Sequence, residues 1–192
     1  MNKFFPINSK VFLIAEIGIN HNGSIRVAKE LIGHAKKSGF DAVKFQTYNS
    51  NFVSPKNLKV ANYQKSSGFK TMNSLLKKYQ LTFDNFKYLK EYCKKIKIKF
   101  LSTPFDIESA KFLNSIDVKI FKISSGDLDN FHLLNEVKKF NKPIILSTGL
   151  AKNNNQIKKT LKFLNYNRKK IALLHCVSQY PVDYKYSNLS EI

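Results

Sequence analysis

Polar and charged side chains follow several short apolar runs of the sequence, each at the point where a run ends. The first is Glu16, which closes the run that begins at residue 11. The others, in chain order, are Lys44 and Gln46, Ser102 and Thr103, Lys122 with Ser124 and Ser125, Ser147 and Thr148, and His175. When such runs are parallel strands of a barrel, their carboxyl ends converge on one face and build its catalytic site. The pattern therefore predicts one shared active site for these side chains.

Two lysines, Lys44 and Lys122, indicate what this site could bind. Each shares a strand face with the polar residue two positions later, because side chains alternate along a strand. An inward-facing ammonium group is costly unless an anion meets it. Together with the hydroxyls of Ser125 and Ser147 and the backbone amides of nearby turns, the two lysines suit a small dianion such as a phosphorylated carboxylate. The alternative is that one of the lysines only pairs with Glu16.

Two histidines and two carboxylates are further candidates. His175 ends its apolar run and is either a metal ligand, an acid-base group or a structural histidine. His21 leaves the same alternatives open, and its asparagine neighbours could instead form a turn. Glu16 is a candidate base or a group that orients a sugar hydroxyl, and Asp127 is a second carboxylate on the same face. The sequence contains no glycine-rich phosphate loop, metal-spaced cysteine set or nucleophile elbow.

The apolar runs alternate with helical patterns along the whole chain, and these elements must position the site. Such alternation predicts an α/β fold in which helices cover a parallel sheet. The polar run ends favour a (β/α)8 TIM barrel, represented here by about six βα units, over an open doubly wound sheet. Residues 49–80 interrupt the pattern with a segment rich in Asn, Ser and Lys. We predict a long excursion there, with a short helix near residues 72–78, that forms a lid over the strand ends.

The composition favours a single cytoplasmic domain. The chain has 192 residues, of which 43% are hydrophobic, and this is enough for one core. No run approaches the roughly 18 apolar residues of a membrane helix, and no leader-type segment is evident. The two cysteines, Cys93 and Cys176, are too few for a disulfide framework and fit a reducing compartment.

The formal charge of +20 raises the question of a nucleic-acid partner. Only Arg26 and Arg168 are arginines, whereas nucleic-acid surfaces favour arginine for its forked, planar donors. The lysines recur along amphipathic stretches such as residues 88–100, which is typical of a solvated helix face. The charge pattern therefore disfavours nucleic-acid binding.

Six segments of the sequence resemble, in order, the motifs of the sialic acid synthase (N-acetylneuraminate synthase) family. They are "EIGINHNG", "VKFQTY", "LSTPFD", "FKISSGD", "ILSTG" and "LLHCVSQYP". The resemblance implies a barrel of aldolase type followed by a small antifreeze-like domain, assembled as a homodimer and using Mn²⁺ or Mg²⁺. It also implies a carbon-carbon bond-forming transferase of surface carbohydrate biosynthesis. The expected partners are phosphoenolpyruvate and an N-acetylated hexose, which condense to a nonulosonic (sialic-type) acid and phosphate.

The resemblance also assigns roles to individual residues. It implies that Glu16, Lys44 and Lys122 are catalytic. Lys44, Lys122, Ser125 and Ser147 match contacts to phosphoenolpyruvate, whereas Glu16, Gln46, Thr103, Phe105 and Tyr180 match positions that face the sugar. Two further positions are expected to bind substrate and differ from the family pattern. Asp127 stands where many members have glutamate, and Ser178 replaces a usual asparagine.

The match covers the first part of the family's pattern. The two metal histidines of the family match no residue of this chain, so the resemblance implies no metal ligand within it and none at His175. We therefore expect residues 1–192 to be one domain, the amino-terminal part of the barrel, without the last strands and the antifreeze-like domain. The alternative to an active synthase is an inactive remnant, or half of a split synthase that acts only with a partner chain.

The motifs do not decide which acceptor sugar is used. N-acetylmannosamine and a diacetamido relative both fit the motifs, whereas the opening "EIGIN" disfavours the pseudaminic branch of the family.

Overall fold

Six strands form one parallel sheet in the computed structural model, which describes residues 11–60, 68–165 and 170–192. The strands are β1 (Ile14–Gly18), β2 (Ala42–Thr47), β3 (Lys99–Pro104), β4 (Phe121–Ile123), β5 (Ile144–Ser147) and β6 (Ile171–Leu174). They pair in chain order from β1 to β6, and every pair is parallel. Parallel strands that follow one another in this order, each returning through a helix, are the units of a (β/α)8 barrel. The predicted fold is confirmed: the described residues form an incomplete barrel of aldolase type.

Seven helices connect the strands in the described part of the chain. They are α1 (Ile25–Lys37), α2 (Ser50–Val53), α3 (Met72–Tyr79), α4 (Phe83–Lys95), α5 (Ile107–Ser115), α6 (Phe131–Lys139) and α7 (Asn154–Leu164). Each follows a residue whose side chain accepts a hydrogen bond from the first helical turn: Ser24, Asn49, Thr71, Thr82, Asp106, Asn130 and Asn153. Such caps satisfy backbone donors that the helix itself leaves unpaired. Within the described ranges, no helix has the length and apolar character needed to cross a bilayer.

Two cores lie on opposite faces of the sheet. The larger one fills the space between strands and helices and contains the stacked rings of Phe45 and Phe100, whose centroids are 5.6 Å apart. The smaller one lies on the barrel side and consists of Ala42, Leu101, Ile120 and Ile145. Because side chains alternate along a strand, the residue two positions later on each strand faces the same side. These next residues are Lys44, Thr103, Lys122 and Ser147, so a polar layer lies directly above an apolar one.

The excursion after β2 covers the carboxyl ends of the strands, as predicted. It contains α2, which the sequence analysis did not predict, and α3, which extends one residue beyond the predicted helix. Residues 61–67 of the excursion lie outside the described residues. The hydroxyl of Tyr48 donates to the carbonyl oxygen of Leu76 at 3.0 Å, and the side-chain amide of Asn73 donates to the carbonyl oxygen of Ser50 at 2.8 Å. These bonds tie α3 to the end of β2 and to the helix that follows it.

Gly23 brings the loop after β1 against the same helix. Its φ angle is +75°, and a β-carbon at this position would lie 2.4 Å from the carbonyl oxygen of Lys78 in α3. Glycine therefore serves two purposes here, since it adopts the left-handed conformation without strain and allows a close backbone approach.

Gly23→Ala is expected to destabilise the chain by about 2 kcal/mol more than Gly39→Ala, because a new clash in a packed region typically costs 1–3 kcal/mol. Gly39 has a similar φ of +82°, but no described atom outside residues 38–40 lies within 4 Å of the position that a β-carbon would take there. Gly39→Ala therefore reports the cost of the backbone conformation alone. Urea unfolding of both variants measures the difference. Equal losses would mean that α3 moves away from Gly23 at no cost.

Candidate active site at the carboxyl ends of the strands

One cavity of about 830 Å³ opens at the carboxyl ends of the strands, beneath the excursion. Its walls come from all six strand ends or the turns that follow them, and from α3. The lining residues are Glu16, Gly18, Ile19, Asn20, Lys44, Gln46, Leu75, Leu76, Tyr79, Thr103, Phe105, Lys122, Ser124, Ser125, Ser147, Leu174, Cys176, Val177, Ser178 and Tyr180. Most of the predicted site residues therefore lie in one place. Asp127 and the two candidate histidines do not line the cavity, and neither do two other predicted residues: Ser102, whose hydroxyl is hydrogen-bonded to that of Thr47, and Thr148, whose hydroxyl donates to the carbonyl oxygen of Leu174.

Lys44 is buried in this cavity and has two polar partners. Only 6% of the residue is exposed. Its ammonium lies 2.7 Å from a carboxylate oxygen of Glu16 and donates to the hydroxyl of Thr103 at 3.3 Å. The Glu16 side chain is 59% exposed, so its carboxylate reaches from the rim of the cavity towards the buried ammonium. The alternative in which one lysine pairs with Glu16 thus holds for Lys44.

Lys122 is equally buried, at 6% exposure, but its surroundings differ. Its ammonium donates to the carbonyl oxygen of Ile123 at 2.8 Å. No carboxylate lies within salt-bridge distance of it among the described residues. Burial and, to a lesser extent, the positive charge of Lys44 together lower the pKa of Lys122 to about 8, against a smaller opposing effect of Glu16. Lys122 is therefore a buried lysine whose charge is not balanced by a carboxylate partner within the described residues.

The turns after β5 and β6 meet at the same cavity wall. The thiol of Cys176 lies 3.5 Å from the hydroxyl of Ser147. A β-carbon at Gly149 would lie 2.7 Å from the hydroxyl oxygen of Ser178 and 3.0 Å from the β-carbon of Cys176. Glycine in the "STG" turn therefore lets the "CVSQYP" segment approach closely and brings its Ser178 hydroxyl beside the turn.

Asp127, which was expected to bind substrate, does not line the cavity. It lies in a short 3-10 helix, Ser125–Asp127, and its carboxylate accepts a hydrogen bond from the side-chain amide of Asn130 at 3.0 Å. Burial raises the pKa of Asp127. Lys122 acts on it electrostatically, so Asp127 contributes charge near the site, whereas its substrate contact stays a prediction.

Neither candidate histidine lines the cavity. His21 is 1% exposed, and its Nδ1 accepts the backbone N–H of Gly23 at 3.1 Å. Its ring lies 6.0 Å from that of Phe45, centroid to centroid. Burial lowers the pKa of His21 to about 4, so it is a neutral, structural histidine at physiological pH. His175 is exposed, and its Nε2 lies 2.7 Å from the carbonyl oxygen of Ser187.

Acid is expected to destabilise the chain through His21. Its pKa of about 4 lies below the usual value near 6.5, so the unfolded state binds more protons between these values. The titration of His21 leaves the free energy of unfolding unchanged above pH 6.5 and lowers it as the pH falls towards 4. By pH 5 the loss is about 2 kcal/mol at 1.36 kcal/mol per pKa unit. In urea unfolding, His21→Gln should lose this part of the pH dependence of stability. His132→Gln, at an exposed histidine, should retain it. If the unfolding free energy of both variants fell equally between pH 6.5 and pH 5, the loss would not be due to His21.

The family model described as "NeuB family" matches residues 31–192 of the chain. The chain belongs to the NeuB family. This assignment agrees with the resemblance of the six motifs, which together contribute most of the cavity wall.

Two of the relatives are named as synthases or synthetases. N,N'-diacetyllegionaminic acid synthase of Campylobacter jejuni is 43% identical over 186 residues, which are 94% of this chain and 55% of that protein. The crystal structure of N-acetylneuraminic acid (sialic acid) synthetase from Leptospira borgpetersenii is 34% identical, with a TM-score of 0.82 over 96% of this chain and 60% of that one. The chain thus spans little more than half the length of these relatives.

A more distant structure supports the fold alone. It is a truncated form of 3-deoxy-D-arabino-heptulosonate 7-phosphate synthase from Thermotoga maritima, 15% identical, with a TM-score of 0.61 over 88% of this chain and 53% of that one.

The contribution of α3 to the cavity of this NeuB chain was not predicted from its sequence. Leu75, Leu76 and Tyr79 line it, together with Cys176 and Val177 from the segment after β6. A signal was present in the helix, because Met72, Leu75, Leu76 and Tyr79 are spaced as one apolar face. The lid was predicted, but the chemical character of its inner surface was not.

Proposed function

We propose that this chain carries the phosphoenolpyruvate-binding half of a NeuB-type synthase, which condenses phosphoenolpyruvate with an N-acetylated hexose. The product is a nonulosonic acid, and phosphate is released. The names of the relatives support this class of reaction, because they are synthases of diacetyllegionaminic and N-acetylneuraminic acids. The acceptor within this class, N-acetylmannosamine or a diacetamido sugar, is left to experiment.

The observation that carries the proposal is the pair of buried lysines in one cavity. Two lysines, each 6% exposed as a residue, face a single carboxylate, that of Glu16, in the described part of the cavity wall. A buried charge without a partner costs several kcal/mol, so the cavity is complementary to an anion. The hydroxyls of Ser125 and Ser147 add donors for phosphate or carboxylate oxygens. Phosphoenolpyruvate, which carries both groups, fits this arrangement.

The proposed reaction forms one carbon-carbon bond and breaks one carbon-oxygen bond. The methylene carbon of phosphoenolpyruvate attacks the aldehyde carbon of the open-chain sugar, and the aldehyde oxygen takes up a proton. Water adds to the carbon that bears the phosphate and releases one proton, which balances the proton taken up by the aldehyde oxygen. The C–O bond from this carbon to phosphate then breaks, the second water proton leaves with the phosphate, and a keto group remains. In this scheme Lys44 and Lys122 hold the anion and stabilise the charge that leaves with phosphate. Glu16, held by Lys44, is placed to orient or exchange a sugar proton.

The metal ion implied by the family resemblance has no ligand set among the described residues. No group of three or more His, Cys, Asp or Glu side chains capable of holding an ion occurs there. Of the described residues in the cavity wall, Glu16 is the sole carboxylate and is engaged with Lys44, while both candidate histidines lie elsewhere. The described residues therefore do not fit Mn²⁺ or Mg²⁺, and no step above passes through a metal.

Titration calorimetry tests the proposal directly. Phosphoenolpyruvate should bind the chain, and pyruvate, which lacks the phosphate, should bind much more weakly. Phosphate release is then followed with N-acetylmannosamine and, separately, with a diacetamido sugar in the presence of Mn²⁺. Absence of phosphoenolpyruvate binding would overturn the proposal. Binding without release would restrict this chain to the anion-binding half of the reaction.

The edges of the sheet favour a second candidate, a chain that works only after pairing with the remaining strands of a barrel. Leu13, just before β1, is 45% exposed, and Leu173 in β6 is 49% exposed. Edge strands with exposed apolar side chains pair readily with further strands. Sedimentation velocity distinguishes the cases: a stable monomer that ignores an added polypeptide containing the last two βα units of a barrel would contradict this candidate. The same experiment shows whether the chain alone forms a homodimer, which stays a prediction.

A further inference from the structure

The cavity has two chemically different walls. The strand ends and the turns after them contribute charged and polar groups, such as those of Lys44, Lys122 and Ser147, together with some apolar side chains, among them Phe105 and Val177. The excursion contributes Leu75, Leu76 and Tyr79 of α3, two aliphatic side chains and a ring. Apart from the Tyr79 hydroxyl, this largely apolar α3 wall offers phosphate or sugar hydroxyls no hydrogen-bond partner. Its presence in a polar site calls for a ligand with an apolar group.

The position of α3 is fixed by several contacts, so this wall has a defined place. The Tyr48 hydroxyl donates to the carbonyl oxygen of Leu76 at 3.0 Å, and burial raises the pKa of Tyr48, which keeps that donor protonated. The backbone N–H of Ser50 donates to the side-chain oxygen of Gln80 at 2.9 Å, just after the helix. The backbone at Gly23 approaches the helix so closely that a β-carbon there would lie 2.4 Å from the carbonyl oxygen of Lys78. A helix held by these three contacts presents the same residues to each ligand.

Leu75 and Leu76 have different roles in this wall. Leu75 is 2% exposed and also belongs to the packed interior, so its contact with the cavity is limited. Leu76 is half-buried, and Tyr79 is half-buried beside it. The side chain of Leu76 is therefore the part of α3 most available to a ligand.

We propose that the α3 face formed by Leu76 and Tyr79 receives the methyl of the acylamino group of the acceptor sugar. This inference rests on the proposed function and deepens it, because it names the residues that select an N-acylated over an unmodified hexose. Of the groups on an N-acetylated hexose, the acyl methyl is the one that gains from leaving water. Burying a methyl or methylene group strengthens binding by about fourfold.

Nuclear Overhauser effects on the intact chain test the contact without any mutation. The protein is labelled with ¹³C at its leucine and valine methyls and saturated with phosphoenolpyruvate, and N-acetylmannosamine is then added. We expect cross-peaks between the acetyl methyl and the δ-methyls of Leu76. Cross-peaks confined to Val177, on the other segment of the cavity wall, would overturn the inference while leaving the proposed function intact. Failure of both ligands to bind would overturn both.

A pair of variants measures the selectivity. In the unmodified chain, N-acetylmannosamine should bind more tightly than mannose. Leu76→Asn, which replaces the apolar group by an amide of similar size, should reduce this preference at least about fourfold. Leu150→Asn makes the same change at a residue that is 57% exposed and outside the cavity wall, and it should keep the preference. Unchanged phosphoenolpyruvate affinity in both variants shows that the site is folded, and an unchanged sugar preference in Leu76→Asn would then contradict the proposal.

Discussion

Replacing Lys122 by Met is expected to weaken phosphoenolpyruvate binding at least about 100-fold and, at the same time, to raise the unfolding temperature of the chain. The loss of affinity follows because removing one partner of a buried charge pair costs about 3 kcal/mol or more. The gain in stability follows from the cost of the lysine itself. Weaker binding together with a higher unfolding temperature would identify Lys122 as a binding residue, because the loss of a structural residue lowers the unfolding temperature.

The cost of Lys122 to the folded state follows from its pKa. The pKa is about 8 in the folded chain, against about 10.4 in an unfolded one, so the unfolded state binds more protons between these values. The penalty is fully present below pH 8 and disappears as the pH rises through 10.4. At 1.36 kcal/mol per pKa unit it amounts to about 3 kcal/mol at pH 7. Loss of the hydrogen bond to the carbonyl oxygen of Ile123 offsets about 1 kcal/mol of the gain.

Lys119→Met is the matched control. Lys119 lies three residues earlier, and its side chain is 76% exposed beside Asp117. The substitution removes the same charge from the chain but not from the cavity. We expect phosphoenolpyruvate affinity within twofold of the unmodified chain, because exposed ion pairs contribute little. Calorimetry and thermal unfolding at pH 7 measure both variants. A destabilised Lys122→Met variant, or one that binds phosphoenolpyruvate normally, would show that Lys122 supports the structure rather than the anion.

The polar layer of the site could be predicted from the sequence because it depends on a period of two. Ala42 and Lys44 share a strand face, as do Ile145 and Ser147, so an apolar residue inside the barrel places the later polar residue inside as well. The order of six parallel strands likewise follows from the alternation of strands and helices. These inferences need only local geometry and the convergence of strand ends.

Other features of the site depend on contacts between residues that the alternation of side chains along a strand cannot predict. The Glu16 carboxylate lies 2.7 Å from Lys44 rather than from Lys122, and the sequence left this choice open. His21 and Glu16 are five residues apart, yet the histidine turns into the core and the carboxylate into the cavity. Asp127 turns towards Asn130 because the 3-10 helix after β4 directs it there. Such outcomes are decided by the turn conformation after each strand and by the packing of distant residues.

The difference between Lys44 and Lys122 makes the affinity of the cavity for an anion depend on pH. Lys44 already has Glu16 as its counter-charge, whereas Lys122 depends on the ligand for one. Binding of a dianion should therefore raise the pKa of Lys122 back towards its ordinary value, since an opposite charge favours the ammonium form. By linkage, a group whose pKa rises on binding makes the affinity depend on pH over the interval between its two pKa values.

Phosphoenolpyruvate affinity is expected to fall about tenfold per pH unit above pH 8, which amounts to about 100-fold between pH 7 and pH 10. The direction follows because Lys122 loses its proton above its pKa of about 8 in the free chain and must regain it to hold the anion. Below pH 6 the affinity should fall as well, because the phosphate takes up its own proton near that pH. Calorimetry from pH 5 to pH 10 measures this bell-shaped profile.

The Lys122→Met variant provides the control for this profile. Its weaker affinity should still fall below pH 6, since that limb belongs to the ligand. It should lack the steep fall above pH 8, and any shallow decline that remains reports the other lysines of the chain. An alkaline limb of the same steepness in both proteins would assign the titration to a group other than Lys122. A flat alkaline limb in the unmodified chain would mean that Lys122 is charged throughout, and then the buried ammonium must be compensated by more than the carbonyl oxygen of Ile123.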